Sequence, residues 1–289
     1  MPVEIRKKLR AVMDLIRIDR QYGTLLLLMP TLWSLFVASN GSPTPEILLI
    51  FIAGSFLMRS AGCAVNDIAD RHFDGRVERT RQRPLPSGRL TVPEAWAVFL
   101  LLVIASLYLV LQLNTLTRWL GLGGIALAAI YPLTKRVTHL PQMVMGIAFG
   151  WGSVMAWTAV RGAVEPPVLR IFLANLFWAT AYDTIYALMD REDDRRIGVK
   201  SAAILFGRHT WIAVGVLFGL SILFFLLLGA ETSMGPVYYI FIAGAAVALA
   251  RQAAAIRHER NHPAAFALFK SNVGVGLMVL AGLVLNYHL

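Results

Sequence analysis

Cysteine is nearly absent from this sequence, and charged residues are scarce. The one cysteine, Cys63, excludes an intramolecular disulfide framework and any metal site built from several thiolates. Charged residues make up 15% of the 289 residues, against about 25% in ordinary soluble domains, and hydrophobic residues make up 57%. The mean hydropathy is +0.63. This balance excludes an ordinary soluble domain and indicates a polytopic membrane protein, and we expect residues 1–289 to form one all-α domain.

The 17 Asp and Glu residues are fewer than the 27 Lys and Arg residues, so the net charge is +10. Such a charge is compatible with nucleic-acid binding, but in a membrane protein it more often reflects topology and anionic lipid. Apolar runs long enough to cross a hydrocarbon core of about 30 Å occur repeatedly along the chain. There are nine of them: Tyr22–Ala38, Glu46–Val65, Glu94–Leu113, Arg118–Leu133, Leu140–Val160, Pro167–Met189, Trp211–Gly229, Gly235–Ala250 and Val273–Leu289.

The positions of the Lys and Arg residues favour the lipid bilayer, and not nucleic acid, as the partner of these runs. If the N-terminus is cytoplasmic, 23 of the 27 Lys and Arg residues lie on the cytoplasmic side, three lie on the opposite side and one, Arg59, lies within a run. This distribution obeys the positive-inside rule. It predicts that the C-terminus lies on the opposite side. With the nine runs and the acidic clusters described below, the expected fold is nine transmembrane helices around a central cavity open toward the cytoplasmic side.

The segments on the predicted cytoplasmic side differ in kind from those on the other side. Residues 1–20 are basic and precede the first run, so we expect a cytoplasmic amphipathic leader and an uncleaved first span. Residues 66–92 and 190–208 carry acids and bases together with Gly, Pro and Ser. Loops of this chemistry at one membrane face are predicted to be the catalytic loops.

The first acidic cluster follows directly on the second apolar run. If the helix continues, Asn66, Asp70 and Asp74 recur at i, i+4 and i+8 and share a face, with Asp67 one step to the side. Carboxylates at a helix C-terminus oppose the negative end of the helix dipole, at a cost of about 0.3–1 kcal/mol each. We therefore expect a cation there. The alternative is a solvated acidic loop.

The second acidic cluster begins inside the sixth run. Asp183, Tyr186, Asp190 and Asp194 fall at i, i+3, i+7 and i+11, which predicts one helical face that reaches the cytoplasmic edge of the membrane. A carboxylate as deep as Asp183 is costly in lipid and should face a wet cavity or a partner. Since the second and sixth runs point the same way, both clusters are predicted at one membrane face.

Two carboxylate clusters around one cavity provide oxygen ligands, which suit Mg²⁺. Mg²⁺ usually completes its coordination with waters and phosphate oxygens, and cationic side chains follow both clusters. Acidic side chains that bind a metal ion, together with basic side chains that bind phosphate oxygens, are the arrangement of a diphosphate-binding site. Because the surrounding helices are apolar, the organic part of that diphosphate should be a lipid.

Four motifs carry a resemblance to a known family. They are Asn-Asp-x-x-Asp-x-x-x-Asp at 66–74, Arg-Pro-Leu-Pro-Ser-Gly at 83–88, Tyr-Pro-x-x-Lys-Arg at 131–136, and Asp-Arg-Glu-Asp-Asp with Gly-Val-Lys-Ser at 190–201. The chain resembles the UbiA family of intramembrane aromatic prenyltransferases over nearly its whole length. Within that family it is most similar to bacterial members that prenylate 4-hydroxybenzoate.

This resemblance implies an activity and a set of roles. The activity is Mg²⁺-dependent transfer of a polyprenyl group from polyprenyl diphosphate to the ring carbon ortho to the hydroxyl of 4-hydroxybenzoate, in ubiquinone biosynthesis at the bacterial inner membrane. Metal ligands would be Asn66, Asp67, Asp70, Asp74, Asp190 and Asp194. Catalytic residues would be Asp70, Asp74, Asp183, Asp190 and Asp194. Diphosphate or acceptor would be bound by Arg79, Arg83, Tyr131, Lys135, Arg136 and Lys200.

Two alternatives remain at this stage. A prenyltransferase of the same family with another aromatic acceptor would carry the same motifs. An ion-coupled transporter would use Asp183 and the clusters to bind a moving ion, and it predicts polar residues near the midplane of several spans. The acids are instead concentrated toward the cytoplasmic face, which favours the enzyme. No motif points to a protein partner.

Overall fold

The computed structural model describes residues 3–75, 80–257 and 262–289, and within these ranges the chain forms helices and no strand. The predicted all-α class is confirmed. In chain order the helices are α1 (Val3–Leu15), α2 (Tyr22–Ala38), α3 (Pro45–Asp74), α4 (Val92–Val110), α5 (Thr115–Val137), α6 (Pro141–Arg161), α7 (Pro166–Ala187), α8 (Arg191–Ile197), α9 (Ala202–Phe206), a 3₁₀ turn (Gly207–His209), α10 (Thr210–Glu231), α11 (Pro236–Ala255) and α12 (His262–His288).

The helix ends follow local sequence signals. The Thr91 side chain accepts a hydrogen bond from the Glu94 amide, and the Glu94 carboxylate accepts one from the Thr91 amide at 2.7 Å, so a capping box starts α4. Proline is the first residue of α6, α7 and α11, a position where its missing N–H costs nothing. Gly162 ends α6 with a φ of 71°, a left-handed conformation that glycine adopts without a steric penalty.

Several helices are suited to a membrane. Segments long and apolar enough to cross one are Pro45–His72, Val92–Val110, Pro141–Arg161, Ala202–Glu231, Pro236–Ala255 and Ala264–His288. Large apolar side chains of α4 such as Leu101, Ile104 and Tyr108 are more than 60% exposed, which suits contact with lipid and not with water. The chain is therefore a multi-pass membrane protein. Each of the nine predicted runs overlaps a helix of at least 17 residues in the described part of the chain.

The helix α7 lies at the centre of the bundle, in contact with α2, α6, α10 and α12. Aromatic side chains fill this core: the Trp33 and Trp178 rings lie 5.2 Å apart, and the Trp178 and Tyr182 rings lie 5.0 Å apart. Both indole N–H groups are satisfied, since Trp33 donates to the Gly276 carbonyl at 3.1 Å and Trp178 donates to Asn272 at 2.9 Å. The core thus holds the helix that carries Asp183 in a fixed orientation.

Helices occupy part of one segment that was predicted as a catalytic loop, 66–92, and most of the other, 190–208. Residues 66–74 are the end of α3, which confirms that the helix continues through the first acidic cluster. Within 190–208, α8 and α9 account for most residues. The predicted leader forms α1, whose buried residues Ala11 and Leu15 face the protein while Leu9 and Met13 are almost half exposed.

The close approach of α6 to α7 gives a stability prediction. A Cβ added to Gly146 would lie 2.8 Å from the Leu176 carbonyl oxygen, so the two backbones would have to separate. We expect Gly146→Ala to destabilise the protein by about 1–3 kcal/mol, as overpacking does, and to lower its thermal unfolding midpoint in lipid nanodiscs. Gly219→Ala is the matched control in α10, because a Cβ there meets nothing within 4 Å. Equal midpoints for the two variants would contradict the packing argument.

Candidate active site

A cavity of about 690 Å³ lies between α2, α3, α5, α6 and α7, and both acidic clusters line it. The clusters are about 120 residues apart in the chain, so only the fold brings them together. The acids and polar residues of the two clusters in its wall are Asn66, Asp67, Asp70, Asp74, Asp183, Tyr186, Asp190 and Asp194. The cavity therefore has the oxygen-rich surface that the sequence predicts at one end of the bundle.

The first cluster is buried as well as acidic. Asp67, Asp70 and Asp74 are exposed by 1%, 3% and 7%. They lie on the last turns of α3, and Asp74, in the final turn, meets the end of the helix dipole that is unfavourable to negative charge. Buried carboxylates need cations or hydrogen bonds to offset the loss of hydration. This requirement explains the arginines that surround them.

Two arginines bind the first cluster. Arg83 donates to Asp67 Oδ1 at 3.2 Å and to Asp74 Oδ2 at 2.8 Å, and Arg17 donates to the same Asp67 oxygen at 2.7 Å. The chain after α3 folds back over the helix end, because Thr80 donates to the Asp74 carbonyl and the Arg83 amide donates to the Thr80 carbonyl. Asp67 Oδ2 is buried and has no hydrogen-bond partner in the described part of the chain.

The charge of Asp74 responds to these surroundings. Asp74 lies just beyond the candidate span Pro45–His72. Burial raises the pKa of the Asp74 carboxyl above its usual value, while the Arg83 guanidinium opposes the rise. A further cation at the cluster would favour the charged carboxylate still more.

The second cluster does not lie on one continuous helical face, and this corrects the prediction for Asp183, Tyr186, Asp190 and Asp194. The helix α7 ends at Ala187, and Asp190 is the residue that precedes α8. The Leu188 and Met189 amides donate to carbonyls three residues back, which tightens the chain into a turn. All four side chains nevertheless line the cavity.

A buried polar group lies deeper in the cavity, around Arg59. Its guanidinium contacts the Cys63 sulfur, and Arg59 Nε and the Tyr182 hydroxyl are buried without hydrogen-bond partners among the described residues. Asp183 and Tyr131 are within electrostatic range of Arg59, and all five side chains line the cavity. The group therefore offers a partly buried cation, a carboxylate and two phenolic hydroxyls to a ligand.

Sequence reasoning counted Arg59 as an embedded charge and gave it no role. The signal was present, because an ionisable residue within an apolar run marks a functional site by default. Arg59 also precedes Asn66 by seven residues, so it lies on the acidic face of α3 two turns further into the bundle.

An apolar arm continues the cavity away from the acids. Arg118 and Tyr131 both line the cavity and are thirteen residues apart on α5, which corresponds to about 20 Å of helix. The wall between them is formed mainly by aliphatic and aromatic side chains, including Phe51, Leu107, Val110, Ile125, Trp151 and Met155. Such an arm suits a long apolar group attached to a polar head.

Some predicted binding residues are placed elsewhere. Arg136 donates to the Ala69 carbonyl at 2.8 Å and Lys200 donates to the Val137 carbonyl at 3.0 Å, and neither residue is part of the cavity wall. Both side chains donate to backbone carbonyls at the edge of the bundle, outside the cavity wall. Arg79 and the side chain of Lys135 lie outside the described residues.

The oxygen atoms of the cavity wall fit a hard divalent cation such as Mg²⁺. Among the described residues, no three His, Cys, Asp or Glu side chains form a closed metal site. Mg²⁺ is usually held by one or two carboxylates together with substrate phosphates and waters, so an incomplete oxygen set is the expected protein contribution. The buried Asp67 Oδ2, which has no partner among the described residues, is a further oxygen for a cation or its waters.

Comparisons with known proteins agree with this geometry. A family model described as the UbiA prenyltransferase family matches residues 27–274. A 4-hydroxybenzoate octaprenyltransferase from Vibrio campbellii is 47% identical over 281 residues, which are 97% of this chain and 99% of that protein. The apo structure of a UbiA homolog from Aeropyrum pernix superposes with a TM-score of 0.78 at 25% identity, covering 90% of this chain and 97% of that one.

A second solved structure has the same fold. It is a UbiA homolog from Archaeoglobus fulgidus bound to GPP and Mg²⁺, with a TM-score of 0.71 at 16% identity, covering 96% of this chain and all of that one. The family model covers most of the chain, and the Vibrio relative matches it almost from end to end. This chain therefore belongs to the UbiA prenyltransferase family.

Proposed function

We propose that this protein transfers a polyprenyl group from polyprenyl diphosphate to the ring carbon ortho to the hydroxyl of 4-hydroxybenzoate, releases diphosphate and so serves ubiquinone biosynthesis. The observation that carries the proposal is one cavity that joins two carboxylate clusters, arginines and an apolar arm. The name and the 47% identity of the Vibrio campbellii relative support the choice of acceptor.

We place the enzyme in the bacterial inner membrane as a single domain of residues 1–289 with nine crossing helices. Three further helices, α2, α5 and α7, are not among the six candidate spans but are packed against them, and α2 is a shorter apolar helix. The positive-inside distribution supports a cytoplasmic N-terminus, a C-terminus on the opposite side and a cavity that opens to the cytoplasm.

The diphosphate end of the substrate belongs at the two acidic clusters. Mg²⁺ would be held by oxygens of Asn66, Asp67, Asp70, Asp74, Asp190 and Asp194. When bound, the metal withdraws negative charge from the leaving diphosphate. Arg83 already reaches both ends of the first cluster, so its guanidinium can turn to a phosphate oxygen without leaving the site. Arg79 and Lys135 are further candidates for the same oxygens.

The reaction then needs a broken C–O bond and a new C–C bond. The bond between the allylic carbon and the diphosphate breaks with both electrons going to the diphosphate, where Arg83 stabilises the growing charge. The acceptor carbon next to the phenol hydroxyl attacks the allylic cation, and the proton on that carbon then passes to the released diphosphate or to water, which restores aromaticity. Asp183 is placed to accept the phenolic proton or to orient the hydroxyl, because it lines the cavity beside Tyr131 and Tyr182.

We assign the acceptor carboxylate to Arg59. A benzoate that leaves water needs a cation to replace its hydration, and Arg59 is a partly buried cation in the deeper wall. Its unpartnered Nε gives the guanidinium a free donor among the described residues. Asp183, in electrostatic range of Arg59, would then lie near the phenol end of the same ring.

The apolar arm has two functions in this scheme. It binds the prenyl chain next to the diphosphate, and it keeps water from the allylic cation, which would otherwise become a prenyl alcohol. A cavity of about 690 Å³ is within the range that holds a drug-sized ligand. A long polyprenyl tail therefore extends beyond it into the bilayer.

The central activity can be tested in membranes that contain this chain. We expect them to join polyprenyl diphosphate to 4-hydroxybenzoate with Mg²⁺ and to stop when EDTA is added. Asp70→Ala and Asp190→Ala should each lower the rate at least about 100-fold, since each removes a charge that acts on the leaving group. Asp193→Ala is the control, because Asp193 lies beside Asp190 but outside the cavity wall. Wild-type rates for both cavity variants would refute the mechanism.

Substitutions at the two ends of the site should change the KM values of different substrates. Arg59→Gln should raise the KM for 4-hydroxybenzoate about tenfold or more, the usual effect of losing a charged hydrogen bond, and leave the KM for polyprenyl diphosphate nearly unchanged. Arg83→Gln should raise the KM for polyprenyl diphosphate and leave the KM for 4-hydroxybenzoate nearly unchanged. With a phenol that lacks the carboxylate, Arg59→Gln and wild type should react alike. If Arg59→Gln weakens that neutral acceptor equally, Arg59 does not bind the carboxylate.

A further inference from the structure

The turn between α1 and α2 contains an unusual backbone conformation at Arg17. Its φ is 58°, in the left-handed region that residues other than glycine seldom adopt. Hydrogen bonds within the turn hold this conformation, since the Arg20 amide and the Gln21 side chain both donate to the Arg17 carbonyl. Strained residues that are held by several contacts concentrate at functional sites.

The guanidinium of Arg17 is held as firmly as its backbone. One terminal nitrogen donates to the Asp14 carbonyl at 2.7 Å and to the Leu15 carbonyl at 3.3 Å. The other donates to Asp67 Oδ1 at 2.7 Å. The arginine thus connects the end of α1 to the first acidic motif, and 17% of its side chain is exposed while 1% of Asp67 is.

The helix α1 is attached to the bundle by contacts that do not involve Asp67. Its Ala11 and Leu15 pack in a small apolar core with residues of α3, α4 and the segment between them: Ala64, Ile68, Leu90 and Ala95. Lys8 pairs with Glu94 at 2.7 Å, and Asp14 pairs with Arg89. These contacts place α1 firmly enough for its last turn to hold a side chain of the site.

We propose that Arg17 is a positioning residue that acts through Asp67. It occupies Oδ1, together with Arg83, and so leaves the buried Oδ2 for the cation or its waters. Arg83 also binds Asp74 and must be free to shift when a diphosphate enters. Of the two arginines that bind Asp67, Arg17 is the one whose guanidinium also donates to backbone carbonyls in the hydrogen bonds described, so it is suited to keep Asp67 in place during that exchange. This inference rests on the proposed function.

The alternative for Arg17 is direct binding of the diphosphate. Both terminal nitrogens already donate to protein oxygens, and releasing them would also release the strained turn. A positioning role predicts an effect on the metal, because partners that orient a metal-binding group usually contribute tenfold to 100-fold in metal affinity. A direct role predicts an effect on the diphosphate that does not depend on Asp67.

The test uses Arg17→Gln, Arg17→Lys and the matched control Lys8→Gln, which removes another ion pair of α1 and lies outside the cavity wall. For Arg17→Gln, the Mg²⁺ concentration that gives half the maximal rate should rise about tenfold. Arg17→Lys keeps the charge beside Asp67 and should recover part of this loss. Lys8→Gln should have the wild-type Mg²⁺ dependence.

A binding measurement separates this inference from the proposed function, because it needs no turnover. Thermal unfolding in nanodiscs is followed while Mg²⁺ is titrated at fixed inorganic diphosphate. The wild type and Lys8→Gln should be stabilised at similar Mg²⁺ concentrations, and Arg17→Gln should need about tenfold more. On an Asp67→Asn background, Arg17→Gln should cause no further shift. A wild-type titration for Arg17→Gln, or an undiminished effect without Asp67, would overturn the positioning role.

Discussion

The burial of several carboxylates at the end of a membrane helix is the constraint on which this structure depends. Asp67, Asp70 and Asp74 have little contact with solvent, and the dipole of α3 disfavours the charge of Asp74 in its last turn. In a low-dielectric site, a carboxylate without a partner costs several kcal/mol. The fold meets this constraint with Arg83 and Arg17, which come from segments before and after α3. A bound metal–diphosphate headgroup would offset the rest of the cost of burying these charges.

One helix then organises the chemistry along its length. Arg59 and Asp74 are fifteen residues apart on α3, a distance of about 22 Å along the axis. In the proposed scheme, the deeper end offers a cation for the acceptor carboxylate, and the outer end offers oxygens for the metal and the diphosphate. Because Asp183, Asp190 and Asp194 line the same cavity, the acceptor and the leaving group would be bound along one wall. The order of the residues on α3 would then set the order of the substrates.

The sequence predicted what depends on periodicity. The all-α class and the continuation of α3 through Asn66, Asp70 and Asp74 follow from spacing, and the structure has both. It did not reveal the end of α7 at Ala187, since the residues that follow include neither Gly nor Pro and the turn arises from hydrogen bonds three residues back. Arg136 and Lys200 were predicted at the site because they lie near acidic motifs in the sequence. The sequence alone does not distinguish a basic residue that binds a ligand from one that only follows the positive-inside rule.

Two arginines that the structure places at the site were not predicted from the sequence. Arg59 carried a readable signal, a charge in an apolar run, that was treated as an exception to topology. The role of Arg17 had no such signal, because it depends on a contact with a residue fifty positions away and on a left-handed backbone angle. Tertiary contacts of this kind decide which of many basic residues at one membrane face belong to the site.

The central claim is that both acidic clusters bind one metal–diphosphate headgroup. It is tested most directly by a crystal structure of this protein with Mn²⁺ and a thiolo analogue of polyprenyl diphosphate that does not ionise. The account predicts anomalous Mn²⁺ peaks between the clusters, with carboxylate ligands from both α3 and the Asp190–Asp194 segment and with the diphosphate bound to the metal. Peaks confined to one cluster, or a diphosphate bound away from both, would contradict it.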